Sequence, residues 1–184
     1  MQAMREDLAE ILLSEDQIQH RLDELALEIQ RDYADKDLTL VPVLTGSVMF
    51  VADLLRRLPM QLRVDYIGVS SYYGETRSTG ELIVTKALRL DVRGRDVLVV
   101  DDILDTGLTL AKIRDMIRKL QPRSLKFGVL LEKDVPHEAG FRADYVGFPI
   151  PNKFVVGYGL DYRERYRNLP FVGTLKPEAI AAQQ

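Results

Sequence analysis

Cysteine is absent from the 184 residues, and histidine occurs only twice, as His20 and His137. The first absence excludes a disulfide framework, thiolate metal sites and thiol nucleophiles. The second excludes a His-rich metal site. Long apolar runs are also missing: none approaches the ~18 residues of a membrane span. Residues 1–14 carry Glu6, Asp7 and Glu10, which break up any apolar signal core. Nor is there an excess of positive charge, because 25 Lys and Arg against 28 Asp and Glu leave a net charge of −3. That balance argues against nucleic acid or a membrane as partner, though not against a local anion pocket. The chemistry is left to carboxylates, Lys, Arg, hydroxyls and backbone amides.

The length fits one domain of roughly 100–200 residues, able to bury about 70% of its unfolded surface. Apolar residues at 46% and charged residues at 29% are those of an ordinary globular protein. No repeat or low-complexity segment interrupts the chain. A cysteine-free chain of this kind fits the cytoplasm, which is the expected location.

Ser14 precedes apolar residues at Ile18, Leu22, Leu25, Ile29 and Tyr33, a helical spacing, and Gln17 completes a capping box. Leu38 to Leu44 reads as a strand, and Val48 to Leu58 as a helix after the Gly46-Ser47 break. Arg63 to Ser71 is a β-rich strand, and Glu81 to Leu90 a second one beyond a polar excursion. Val97 to Val100 is a continuous apolar run, as in a central parallel strand buried on both faces. Leu110 to Leu120 is a helix that Pro122 ends. Leu125 to Leu131 and Tyr145 to Phe148 are strands, and Pro149 to Leu175 is an irregular, aromatic-rich tail. The alternation predicts an α/β fold with a mostly parallel sheet flanked by helices.

The informative stretch is Val97-Leu98-Val99-Val100-Asp101-Asp102-Ile103-Leu104-Asp105-Thr106-Gly107-Leu108-Thr109. A buried strand runs into two acids, then a loop, then a helix. Ligands of open α/β sheets bind at the carboxyl ends of strands. Free N–H groups at a helix start favour phosphate. One loop can therefore hold an anion at its helix end and a polyol or cation at its acid end, the two features of a sugar phosphate. These residues alone leave a plain N-cap and a solvated acidic turn open as readings.

The whole stretch resembles the phosphoribosyl-pyrophosphate (PRPP) motif of the type I phosphoribosyltransferases. Leu44-Thr45-Gly46-Ser47, Ser71-Tyr72, Lys133 and Asn152-Lys153-Phe154-Val155-Val156-Gly157-Tyr158-Gly159-Leu160-Asp161-Tyr162 resemble its hypoxanthine-guanine branch, and Arg167 follows at that family's distance. The resemblance runs from about Leu8 to Leu175. It implies the type I fold as a single domain over 1–184, with a core at about 36–148. A small hood would come from the N-terminal segment and about 149–175.

The resemblance also assigns roles. Asp101 and Asp102 would bind the ribose hydroxyls of PRPP and organise Mg²⁺. Asp105 would lie beside purine N7 as general base. With Asp105, Thr106, Gly107, Leu108 and Thr109 would cradle the 5′-phosphate. Leu44, Thr45 and Gly46, with a peptide before Thr45 that can be cis, would bind pyrophosphate together with Arg167. Many relatives carry Lys where this chain has Thr45. Lys133 would donate to the purine 6-oxo group and reject adenine. Phe154 would stack on the purine, Val155 would read its edge through the backbone, and Asp161 would bind a second Mg²⁺. Without the resemblance, Phe154 reads as a core aromatic. Ser71 and Tyr72 would begin a mobile loop running to about Gly80 that excludes water. Arg163, Arg165, His20 and His137 read as surface residues.

The implied reaction transfers phosphoribose from PRPP to hypoxanthine or guanine, giving IMP or GMP and pyrophosphate. The implied assembly is a homodimer or homotetramer. Three alternatives stay open: a xanthine-preferring enzyme, a PRPP-sensing RNA-binding regulator on the same fold, and a phosphorelay receiver. Asp105 and the acidic balance disfavour the regulator. The lack of a second strand-end phosphoacceptor disfavours the receiver.

Overall fold

The computed structural model describes residues 2–71, 82–137 and 140–181. Its elements, in chain order, are α1 (Gln2–Glu6), β1 (Leu8–Leu13), α2 (Glu15–Asp32), β2 (Leu38–Leu44), α3 (Val48–Leu55), β3 (Arg63–Val64) and β4 (Ile67–Ser71). They continue with β5 (Leu82–Lys86), β6 (Asp96–Leu104), α4 (Leu108–Arg118), β7 (Ser124–Lys133), β8 (Tyr145–Ile150), β9 (Val172–Leu175) and α5 (Pro177–Ala181).

The main sheet has the order β5-β4-β2-β6-β7-β8, with β3 beside the start of β2. All its pairings are parallel except β4–β5 at one edge. The apolar run at the start of β6 explains why this strand is central. Leu98 and Val100 enter one core layer with α2 and α3. Val97 and Val99 enter a second layer, with α4, on the other face. Successive side chains of a strand point to opposite faces, so four consecutive apolar residues fit only where both faces are covered.

The expected capping box of α2 is present: Ser14 N–H donates to Gln17 Oε1 at 2.9 Å, and Gln17 N–H to Ser14 Oγ at 3.3 Å. Other boundaries differ from the sequence reading. β6 does not stop at Val100 but runs through both acids to Leu104, because β7 continues to pair Asp101 with Val129 and Ile103 with Leu131. α4 begins two residues earlier and ends two residues earlier than expected. β8 extends through Pro149 to Ile150, where β7 still pairs with it.

The expected strand over 63–71 is broken at Asp65. The buried Asp65 carboxylate accepts the N–H groups of Tyr66 at 2.9 Å, Arg89 at 2.5 Å and Leu90 at 2.8 Å, and an Nζ–H of Lys86 at 3.2 Å. Those bonds also end β5 at Lys86, since the amides of Arg89 and Leu90 are no longer available to a ladder. They hold the carboxyl down at about 2, against the desolvation of its burial.

The tail is not wholly irregular. β9 pairs antiparallel with β1 in a separate two-stranded sheet. Leu8, Val156, Tyr166, Leu169, Phe171 and Leu175 form its own apolar cluster. The two ends of the chain thereby meet beside the segment that follows β8.

Candidate active site

β6 carries Asp101 and Asp102 to the C-terminal end of the parallel strands. Asp101 is buried, and its Oδ1 accepts the Asp102 N–H at 2.9 Å. Burial first, and the Asp102 charge second, push the Asp101 carboxyl well above the usual carboxylate range. Burial also raises Asp102, opposed by hydrogen bonds from Asp101 and the backbone and by the Arg167 charge. Burial thus disfavours the charged form of both carboxyls, and most strongly that of Asp101.

The loop after β2 meets the Asp102 side chain. The Leu44–Thr45 peptide is cis, as the resemblance allows. The Ser47 hydroxyl is buried and donates to Val43 O at 2.5 Å, so it pins the loop and leaves the start of α3 without a side-chain cap. Gly46 lies so near Asp102 that a Cβ there would sit 1.7 Å from Oδ2 and 2.6 Å from Cγ. No residue with a side chain fits while Asp102 keeps its place.

After β6, residues 101–107 with Thr109 and Leu110 line a cavity of about 220 Å³. Gly107 adopts φ 85° and opens α4, whose first turn has no side-chain cap from that position. Gly107 itself takes the N-cap position of α4 and has no side chain to cap it. Only a 3.5 Å contact from Leu108 N–H to Thr106 Oγ1 falls within the loop. Free N–H groups and two threonine hydroxyls at a helix start suit a phosphate.

Asp105 is half-exposed, and its Oδ2 accepts a hydrogen bond from Lys133 Nζ at 2.6 Å. The register explains the meeting: Leu104 pairs with Glu132, so the next residues of β6 and β7 fall side by side. Lys133 also lines a larger cavity of about 680 Å³ between the ends of β7 and β8. His137, expected at the surface, borders that cavity instead. Its side chain is only 14% exposed, and its Nε2 lies 3.2 Å from Lys133 O.

Phe154 is not a core residue: it is 55% exposed and meets Tyr162 edge-on, with ring centroids 5.7 Å apart. Val155, beside it, is buried. Arg167 donates through Nη1 to Gly159 O at 2.9 Å and through Nη2 to Glu164 at 3.2 Å, and its Nη2 pairs with Asp161 Oδ1 at 2.9 Å. His20, Arg163 and Arg165 are exposed, as expected.

Asp101, Asp102, Gly46 and Arg167 are therefore brought together, and Asp105 meets Lys133. The acids expected to hold metal do not form one cage. Among the described residues no three carboxylate or imidazole groups converge as one, and Asp161 is taken by Arg167. Paired carboxylates still suit a hard cation that keeps waters and substrate oxygens as its other ligands. Ser71 ends β4, while Tyr72 and the rest of the expected loop lie outside the described residues.

Sequence reasoning missed Tyr162 as the partner of Phe154, and Glu10, whose Oε1 accepts from Lys153 Nζ at 2.5 Å. It also missed Asp53, which accepts the Tyr158 hydroxyl at 2.6 Å. All these partners come from distant elements or from the tail, where no periodic pattern marks them.

The Phosphoribosyl transferase domain family matches residues 10–163. Hypoxanthine-guanine phosphoribosyltransferase of Staphylococcus aureus is 47% identical over 178 residues, 97% of this chain and 99% of its own. The Staphylococcus epidermidis protein of the same name is 48% identical over the same shares. A crystal structure of a hypoxanthine phosphoribosyltransferase from Staphylococcus aureus superposes with a TM-score of 0.91 at 47% identity, covering 96% of each chain. The hypoxanthine phosphoribosyl transferase of Trypanosoma cruzi gives 0.91 at 40% identity, over 97% of this chain and 96% of its own.

Proposed function

The chain belongs to the hypoxanthine-guanine phosphoribosyltransferases of the type I fold, and from that premise we propose how its own residues divide the work. It is a purine-salvage enzyme that transfers the 5-phosphoribosyl group of PRPP to hypoxanthine or guanine. The products are IMP or GMP and pyrophosphate.

The observation that carries the residue roles is the Lys133–Asp105 pair at 2.6 Å. A 6-oxopurine presents O6, an acceptor, next to N7 on one edge. An ammonium beside a carboxylate complements that edge when N7 bears a proton: Lys133 donates to O6, and Asp105 accepts from N7–H. Adenine offers a 6-amino donor instead and leaves the ammonium unmatched. Phe154 covers one face of the base, and the backbone of Val155 reads its remaining edge.

The 5′-phosphate lies against the start of α4, on the N–H groups and hydroxyls of 105–109. Asp101 and Asp102 accept from the ribose diol. Leu44, Thr45 and Gly46 receive pyrophosphate with Arg167. Purine N9 forms the bond to the ribose carbon while the carbon–oxygen bond to pyrophosphate breaks, its electron pair leaving with pyrophosphate. The N7 proton passes to Asp105. Asp101 and Asp102 would hold one Mg²⁺ and Asp161 a second, which would supply positive charge for the pyrophosphate. Arg167 shares that task, and Thr45 contributes no charge.

Residues 1–184 act as one domain, with a core at about 36–148 and a hood from the N-terminal segment and about 149–175. The protein works in the cytoplasm as a homodimer or homotetramer. No helix among the described residues is long and apolar enough to cross a membrane.

The test supplies PRPP and Mg²⁺ with hypoxanthine, guanine, xanthine or adenine in turn and measures the nucleotide formed. Product with hypoxanthine and guanine, and none with adenine, is expected. Efficient use of adenine would overturn the role of Lys133. RNA binding without any transfer would favour a regulator.

A further inference from the structure

Tyr158 and Asp53 play no part in the chemistry above, yet they join its two halves. Gly157, Tyr158 and Gly159 have φ of 99°, 50° and 103°, three left-handed residues in a row. That sequence of angles folds the chain back so that Tyr158 N–H donates to Leu169 O at 2.8 Å and Gly159 N–H to Arg167 O at 2.9 Å. The turn presses its second glycine onto the loop after β2: a Cβ on Gly159 would lie 2.0 Å from Gly46 O. The backbone between the purine-contacting residues and Arg167 thus touches the loop assigned to pyrophosphate.

The Tyr158 side chain makes a second contact with the same unit. It is buried, and its hydroxyl donates to Asp53 Oδ2 at 2.6 Å. Asp53 lies in α3, the helix launched by that loop. It also accepts from Gln19 Nε2 at 3.2 Å and from Arg56, so it is held from α2 and from its own helix. Left-handed φ at a residue with a Cβ persists only where the surroundings enforce it. The Asp53 bond is the enforcing contact at the side-chain end.

We infer that Tyr158 and Asp53 are positioning residues that set the gap between Gly159 and Gly46, and with it the placing of Arg167 over the pyrophosphate loop. This rests on the assignment of 44–46 to pyrophosphate. The strut acts through the backbone of 157–161 and touches neither substrate. Binding on the pyrophosphate side should therefore suffer more than turnover.

Tyr158→Phe removes only the hydroxyl. Initial rates are measured at 20 °C, with PRPP varied against saturating hypoxanthine, and melting is recorded alongside. The expected result is a KM for PRPP raised about tenfold, with kcat within about threefold of the parent. Asp53→Ala should reproduce it, and Asp53→Asn, which keeps an oxygen for the hydroxyl, should recover most of the loss. Tyr158→Phe combined with Asp53→Ala should be no worse than Asp53→Ala alone, since Asp53→Ala already removes the contact that Tyr158→Phe removes. An unchanged KM for PRPP in Tyr158→Phe, whether or not melting shifts, overturns the inference, as do additive losses in the double variant. Gly46→Ala separates the two readings. If it also leaves KM for PRPP unchanged, the loop assignment has failed; if it raises KM while Tyr158→Phe does not, only the strut has failed.

Discussion

Gly46→Ala tests the junction of the two loops proposed to bind anions with a single methyl group. The added Cβ would stand 1.7 Å from Asp102 Oδ2 and 2.6 Å from its Cγ. Real contacts of this kind do not fall below 3.0 Å, so the two groups must part by at least the difference, 3.0 − 1.7 = 1.3 Å. Either the carboxylate turns away from its place on β6 or the loop lifts. The strand end is held by the β7 ladder and the loop by the Ser47–Val43 bond, so the side chain is the softer partner. A turned carboxylate would no longer present its oxygens to the ribose diol and cation proposed to bind there.

A misplacement of about 1 Å in a positioned group costs about 10²-fold in rate. That corresponds to about 2.7 kcal/mol of lost transition-state binding. The expected result is a kcat/KM for PRPP at least about 10²-fold lower in nucleotide formation from hypoxanthine. Melting should move little, because the methyl group displaces a polar side chain at the cavity and leaves the apolar layers intact. A kcat/KM within about threefold of the parent would refute the reasoning. So would a loss fully matched by unfolding at the assay temperature.

Asp105→Asn should cut kcat by about 10²–10⁴-fold if Asp105 is the base, and near-parental turnover would remove that role. Tyr162→Leu takes away the edge-on partner of Phe154, at 5.7 Å. Aromatic pairs contribute about 0.5–1.5 kcal/mol, so KM for hypoxanthine should rise about 2- to 12-fold with KM for PRPP unchanged; equal effects on both would refute a role confined to the base. Asp65, lowered from 3.8 to about 2, contributes roughly 2 kcal/mol of stability. Because its folded value is depressed, that stability is complete above about pH 4 and is lost as the pH falls toward 2. Melting temperature measured from pH 5 to pH 2 should therefore fall less steeply in Asp65→Asn than in the parent, and parallel curves would contradict the assignment.

The parts legible in the sequence are those governed by local patterning. Ser14 and Gln17 announce the start of α2, and four apolar residues before Asp101 announce a strand covered on both faces. The stretch through Thr109 was specific enough to point to the fold and the reaction. Long-range pairing was not legible. β1, within Leu8–Leu13, carries apolar residues without clean alternation, and its partner Val172–Leu175 lies at the other end of the chain. The break at Asp65 depends on amides more than twenty residues away, which no local window contains. The Lys133–Asp105 contact lies between these cases. Both residues were named from the motif, but their meeting follows only once the register places Leu104 opposite Glu132.

That contact bears on how an acidic protein handles a strongly anionic substrate. Each cation assigned to the site is already paired: Lys133 with Asp105 at 2.6 Å, and Arg167 with Asp161 at 2.9 Å and Glu164 at 3.2 Å. With the proposed roles, substrate binding would be an exchange of partners rather than a meeting of opposite fields. Arg167 would trade carboxylates for pyrophosphate, and Lys133 part of its bond to Asp105 for the purine oxygen. The released carboxylates would be the ones that need new partners, in the proposed roles a cation at Asp161 and the N7 proton at Asp105. An exchange of this kind makes the net charge of −3 a poor guide to affinity. It also gives little long-range attraction to be screened, since the field of each pair falls off faster than that of a lone charge. Association with PRPP should therefore depend on the cation bound with it far more than on ionic strength.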